Sequence, residues 1–245
     1  MAEPSWYLDP LVAEQKRCEH LALLRTWSGG APAIVLKTDL FEEANGADEL
    51  LAAFPSASRL IGMDLVPATV FRARARRLAD ARFIVSDVRR LALADGSVDL
   101  VFSNSTLDHF EKRDDLEVAI GELARVLEPG GRIIVTLDNP RNPLYGMLRW
   151  ASRRVTAPLA LGHTLSRDAL ADLLRRQGLE IAGSATLIHN PRLLSTALFL
   201  ALRRTLGPRA DAPIGILLRA FAWLGRLPTR EYTACFVAVC ARKPR

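Results

Sequence analysis

Several carboxylates in this chain stand directly behind short apolar runs, where a strand would end and present them to a crevice. Asp64 closes Ser58-Arg-Leu-Ile-Gly-Met, Asp87 closes Arg82-Phe-Ile-Val-Ser, and Asp138 closes Arg132-Ile-Ile-Val-Thr-Leu. Open α/β sheets bind ligands outside the carboxyl ends of their strands, and a carboxylate there accepts hydrogen bonds from hydroxyl or amino groups. The run Val98-Asp-Leu-Val-Phe-Ser opens in the same way into Asn104-Ser-Thr-Leu-Asp-His109. Proton transfer near neutral pH points to imidazoles. His109, His163 and His189 are the candidates, with Asp108 or Asp138 able to orient a ring. His109 leads as a base, because it follows the fourth apolar run directly.

The elements that must position these groups can be read from the apolar spacing. A first strand covers 33–37, a second 58–64, a third 82–87, a fourth 98–103 and a fifth 132–137, with helices over 68–79 and 114–127 between them. On the latter helix Leu116, Ile120, Leu123 and Leu127 fall on one face. Glu128-Pro-Gly-Gly131 stops it, because proline cannot continue a helix and glycine accepts a left-handed turn. Asn139-Pro-Arg-Asn-Pro-Leu-Tyr145 carries two prolines and is expected as a shaped loop at the site edge. A helix over 167–177, a sixth strand over 179–188 and a long last strand over 231–241 complete the sheet. Ahead of it, residues 6–27 give an amphipathic helix with Leu11, Cys18, Leu21 and Leu24 inward, and Trp6 and Tyr7 anchoring its start.

A strand ending in Ser86-Asp87, then Asp95-Gly-Ser-Val-Asp-Leu-Val101, then Ala124-Arg-Val-Leu-Glu-Pro-Gly-Gly-Arg-Ile-Ile-Val135, resembles the class I S-adenosylmethionine-dependent methyltransferases. The small-molecule branch that includes quinone-biosynthesis enzymes is the most similar, and the likeness covers residues 34–180 and the last strand. It implies an α/β fold with a doubly wound, Rossmann-like, seven-stranded sheet, mostly parallel with the last strand antiparallel. It implies S-adenosylmethionine as cofactor, with Asp64 and Leu65 at the ribose, Asp87 and Val88 at the adenine, and Asn104, Ser105 and Thr106 beneath the sulfonium. The acceptor would meet Asn139, Tyr145 and His189, with His109 and His163 as catalytic groups and no metal. The chain departs from the pattern after its first strand. The glycine-rich turn is replaced by Thr38-Asp-Leu-Phe-Glu-Glu-Ala-Asn-Gly46, leaving Gly46 alone. Side-chain charge is the expected substitute, Lys37 pairing with the cofactor carboxylate and Asp39 or Glu42 with its ammonium.

One domain accounts for all 245 residues. A helical cap covers 1–30, the core 31–189, a helical insertion between strands six and seven 190–230, and the last strand and tail 231–245. The insertion is unexpected for the family. Its apolar runs over 193–206 and 214–227 are studded with Arg203, Arg204, Arg219 and Arg226 and split by Gly207-Pro208, too short and charged to span a bilayer. A lid over an apolar or lipid-like acceptor, a homodimer surface and a peripheral membrane contact all remain open for it. Residues 141–230 hold 14 arginines against four carboxylates, which favours an anionic partner. No nucleic acid is expected, because the arginines are mixed with leucine and no stacking platform of aromatics accompanies them. Cys18, Cys235 and Cys240 lack metal spacing and read as thiols, the latter two buried. Without a signal or a spanning segment, a cytoplasmic location is expected, the inner membrane face included. Methyl transfer to carbon or oxygen of a small acceptor is the leading function. A non-catalytic domain with weakened cofactor binding is the rival, and a nicotinamide dehydrogenase fits less well.

Overall fold

The computed structural model describes residues 9–45, 50–76, 81–152 and 161–245. Gly46, Trp6, Tyr7 and the end of the helix expected over 68–79 lie outside them. The strands are β1 (Ile34–Lys37), β2 (Arg59–Asp64), β3 (Ala81–Val85), β4 (Val98–Asn104), β5 (Leu127–Asp138), β6 (Glu180–Leu187) and β7 (Phe236–Arg242). They form one sheet in the order β3-β2-β1-β4-β5-β7-β6, doubly wound about β1 and β4. The strands from β3 to β5 pair in parallel, and β7 runs antiparallel between β5 and β6.

Neighbouring residues of the central strands feed opposite layers, as the two-residue period of a strand requires. Leu36, Val101, Ile133 and Val135 enter one core with Leu116, Ile120 and Leu123 of α4 (Arg113–Val126) and Leu170 and Leu174 of α6 (Arg167–Arg176). Val35, Leu100, Phe102 and Ile134 enter the other. There they meet Leu21 and Leu24 of α1 (Pro10–Trp27), Leu40, and Val70 of α3 (Pro67–Ala75). The inward row on α1 is not the expected one: Cys18 is exposed, and Val12, His20, Leu21 and Leu24 are buried. Two different cores meet this helix, one at each end, so its buried face rotates along its length.

The first loop coils into α2 (Phe41–Asn45). Leu40, fully buried before it, packs across β2, where a Cβ on Gly62 would come within 2.5 Å of its methyl. Three expectations needed correction. The fifth strand already begins at Leu127, opposite Val98, so Glu128-Pro-Gly-Gly131 is a bulged strand entry instead of a loop. Residues after Asn142 form α5 (Pro143–Ser152), because Pro143 occupies the first helical turn, where its missing N–H is no loss, and Asn142 Oδ1 accepts from Leu144 N–H at 3.0 Å. Residues before Phe236 form the short α9 (Arg230–Thr233), tied down by the Asn139 and Asn142 amides, which donate to carbonyls of Glu231 and Ala234. The insertion supplies two helices as expected, α7 (Arg192–Leu206) and α8 (Asp211–Trp223).

Candidate active site

The carboxyl edge of the parallel strands gathers Lys37, Asp64, Asp87, Asn104 and Asp138. Asp64 closes β2. Its Oδ1 accepts from Val66 N–H at 2.8 Å and its Oδ2 from Leu40 N–H at 3.1 Å, which fixes the carboxylate and leaves a second lone pair on each oxygen. Leu65 beside it is 63% exposed, an apolar side chain held out at the crevice. Asp87 is less open. The Arg89 guanidinium grips both its oxygens, at 3.1 Å from Nε and 2.6 Å from Nη2, and this hydrogen bonding holds the carboxyl below its ordinary range. Arg89 also reaches Asp115 at 3.0 Å and lies over the Phe110 ring. Val88 packs its side chain into the core.

Where the glycine turn would lie there is a buried charge network. Lys37 is 1% exposed, and its ammonium meets the Asp39 carbonyl at 2.7 Å and Glu42 and Glu43 carboxylates at 2.9 Å each. Two of its donors are hydrogen-bonded, to the Asp39 carbonyl and to Glu42, and the Glu43 carboxylate stands beside it as a third counter-charge, so Lys37 faces acids here where pairing with a cofactor carboxylate was expected. Lys37 organises the acids instead. Glu42 also takes Lys16 of α1 at 3.1 Å and the Asn104 amide at 2.7 Å, and Glu43 accepts the N–H groups of Leu50 and Leu51. Burial, then the Glu42 charge, pushes the Asp39 carboxyl well up, whereas Lys37 and Lys16 overcome burial and hold Glu42 well down. Asp39 meets Thr106 Oγ1 at 3.2 Å, and Asn104 Oδ1 accepts from Thr136 at 2.8 Å.

On the other side of β4 two buried acids face each other. Asp108 is fully buried in a single helical turn, Leu107–His109, and its Oδ2 accepts from Ser105 Oγ at 2.8 Å and from Asp138 N–H at 2.7 Å. Among the described residues its other oxygen has no hydrogen-bond partner. Burial, then the Asp138 charge, raises the Asp108 carboxyl. Ser105 itself holds a left-handed backbone, φ +50°, of the strained kind found at sites. Asp138 pairs with Arg192 at 2.6 Å, and that guanidinium lies 4.2 Å over the Phe236 ring. Beside them a small, half-open pocket is lined by Asn139, Asn142, Leu144, Tyr145, Leu148, Arg192 and Cys235. The Tyr145 hydroxyl points at the Gly162 carbonyl at 3.5 Å, and burial with the charges of Asp138 and Asp108 pushes the phenol up to about 12.

Asn139 and Tyr145 are thus brought together. His189 is not on this wall: its Nδ1 meets Thr233 Oγ1 at 2.8 Å and its ring packs on Gly225, where it steadies the insertion. His109 is exposed, and His163 is half-buried on a segment whose N–H donates to the Phe110 carbonyl at 2.6 Å. Sequence reasoning missed Arg192 and Lys16, which reach the site from remote helices and leave no local signal. It gave Asp108 no role beyond orienting a histidine, and Asp138 only that role and its place at a strand end. No cluster among the described residues could hold a metal ion.

Fold and cleft together define a doubly wound α/β protein whose site sits where the strand order reverses. Residues 44–135 match the family model described as a methyltransferase domain. A malonyl-[acyl-carrier protein] O-methyltransferase from Methylococcus capsulatus is 36% identical over 131 residues, 53% of this chain and 46% of that protein. A demethylmenaquinone methyltransferase from Thermus thermophilus is 38% identical over 137 residues, 54% of this chain and 52% of that protein. The matches therefore span about half the length of these relatives. The N-methyltransferase NodS from Bradyrhizobium japonicum, solved with S-adenosyl-L-homocysteine, superposes with a TM-score of 0.59 at 15% identity, over 99% of this chain and 100% of that one, a likeness of fold. Residues 44–135 are thus similar to a methyltransferase domain, and the sheet has the fold of the S-adenosylmethionine-dependent methyltransferases.

The residues present fit that cofactor. Asp64 has lone pairs for two hydroxyls beside the outward Leu65, and Asp39, the most open acid of the Lys37 network, stands where the glycine turn would lie and can accept from an ammonium.

Proposed function

We propose that the protein transfers the methyl group of S-adenosylmethionine to oxygen or carbon of a small, largely apolar acceptor seated between α5, α7 and the start of β7. The observation that carries this reading is the pairing, along one sheet edge, of a prepared hydroxyl acceptor at Asp64 with a pocket at Tyr145. When bound, the cofactor supplies an electrophilic methyl on a sulfonium. The chain's part is to hold and to exclude water, which lowers the barrier through alignment. Asp64 accepts the ribose hydroxyls, Leu65 and the backbone at Val88 flank the adenine, and Asp87 takes its amino group once Arg89 swings toward Asp115. Asp39 takes the ammonium with Glu42 behind it, while Asn104, fixed between Glu42 and Thr136, floors the sulfonium side.

At the acceptor end Leu144 and Leu148 give an apolar wall. Tyr145 keeps its proton through neutral pH and donates to the acceptor oxygen, with Asn139 shaping the rim. For a hydroxyl acceptor a base is useful. His163 is retained for it, because its ring is half-buried where that of His109 is exposed. Of the relatives named above, one is named for a quinone and one for a malonyl group on a carrier protein, and the apolar acceptor proposed here follows the first.

A second reading has its own support: the Arg89 fork on Asp87 and the self-satisfied Lys37 suit a domain that binds cofactor weakly and acts by interaction. Calorimetric titration with S-adenosylmethionine and with S-adenosylhomocysteine separates the two. Saturable binding of both supports the enzyme, and heat with neither sinks it.

A further inference from the structure

Residues 190–230 contain seven arginines and one carboxylate, Asp211, an excess of +6 that equals the net charge of the whole chain. Everything outside the insertion sums to neutrality. Two of the seven are engaged, Arg192 with Asp138 and Arg203 between Asp9 and Asp211. Among the described residues, Arg204, Arg209, Arg219, Arg226 and Arg230 make no ion pair, and all five are exposed. Arginines elsewhere, such as Arg89, Arg125, Arg141 and Arg167, face carboxylates.

The inner side of α8 is fully used. Ile214 and Leu218 pack with Phe199 of α7 and Val12 of α1. The outer side repeats at helical spacing: Ile216 is 59% exposed, Arg219 lies one turn on, Trp223 is 55% exposed another turn on, and Arg226 closes the single tighter turn, Leu224–Arg226, that continues the helix. At 13 residues α8 is about 20 Å long, and no helix among the described residues is long and apolar enough to cross a membrane.

We infer that this outer face of α8 seats the protein on an anionic phospholipid surface. Ile216 and Trp223 enter the headgroup boundary, and Arg219 and Arg226 meet lipid phosphates. A helix with tryptophan and aliphatics alternating with arginines lies in the interface plane, its apolar area and its charge acting together. A second copy of the chain is the poorer occupant, since a two-fold contact would set Arg219 and Arg226 of one face against those of the other. Nucleic acid is poorer too, because Ile216 in the middle of the face finds no partner on a phosphate backbone.

The test is co-sedimentation of the full chain with vesicles of phosphatidylcholine alone and of phosphatidylcholine mixed with phosphatidylglycerol. Partition onto the mixed vesicles, fading as salt rises from about 0.1 to 1 M while the screening length falls from about 10 to about 3 Å, is expected. Arg219→Gln with Arg226→Gln should weaken it roughly thirtyfold. A blue shift of tryptophan emission on the mixed vesicles should vanish in Trp223→Phe. Absence of partition, or partition untouched by the arginine changes, overturns the inference. So does concentration-dependent dimerisation or salt-sensitive DNA binding in place of vesicle binding.

Discussion

Lys37 decides how the cleft is built, because a lysine 1% exposed is stable only while its acidic partners Asp39, Glu42 and Glu43 stay beside it. Lys37→Met should cost about 3 to 5 kcal/mol of folding stability, the range for stranding one side of a buried ion pair, and denaturant unfolding reads it directly. A variant as stable as the parent would contradict the network. His20, also 1% exposed on α1, gives a pH signature: burial, with the Lys16 charge adding, pushes its imidazole down to about 4. The folded value lies below the unfolded value near 6.5, so the unfolded chain binds more protons between the two. Stability is complete above about pH 6.5 and falls by about 3 kcal/mol as pH drops toward 4. His20→Gln should flatten that slope of unfolding midpoint against pH, and an unchanged slope would remove His20 as its source. Both residues show why the sequence was partly opaque. A lysine behind an apolar run reads equally as ligand or strut, and Lys16, which shares Glu42 with it, sits 21 positions away on another element.

The elements were easier to read than their contacts. Apolar spacing located α4, α6, α7 and α8 and all seven strands, because each must bury one face. Boundaries slipped where one residue has two legitimate uses: Pro143 as loop former or as the first residue of α5, and Glu128-Pro-Gly-Gly131 as helix stop or as bulged strand entry. Sequence spacing could not tell what the insertion packs on. The answer is α1: Ile214, fully buried, meets Val12, and Arg203 grips the Asp9 cap from across the chain at 2.6 Å. Ile214→Ala should cost about 2 to 5 kcal/mol and loosen α7 and α8 together, with cofactor affinity kept. Hydrogen exchange confined to another region would contradict that coupling. Gly162 is the tightest point between loop and site. Any side chain there would drive its Cβ into the Phe110 carbonyl, so Gly162→Ala should shift the 108–110 turn and lower acceptor turnover more than cofactor affinity. Equal loss of both would deny the turn a role on the acceptor side.

For the molecule as a whole, the order β3-β2-β1-β4-β5-β7-β6 delivers residues from five strands to one edge, and adjacency along that edge is a property of topology that no local pattern contains. Asp64 could be found from sequence because it closes an apolar run, whereas the Asp108–Asp138–Arg192 constellation exists only after β4, β5 and α7 are side by side. The proposed activity therefore rests on whether that edge holds the cofactor. Calorimetric titration of S-adenosylmethionine into the parent protein and into Asp64→Asn measures it most directly. Asparagine keeps one acceptor oxygen for the backbone and loses the second, so one-to-one binding by the parent and a roughly five- to 150-fold weaker affinity in the folded variant are expected. Equal affinity of the two proteins, or no binding by the parent, would contradict it.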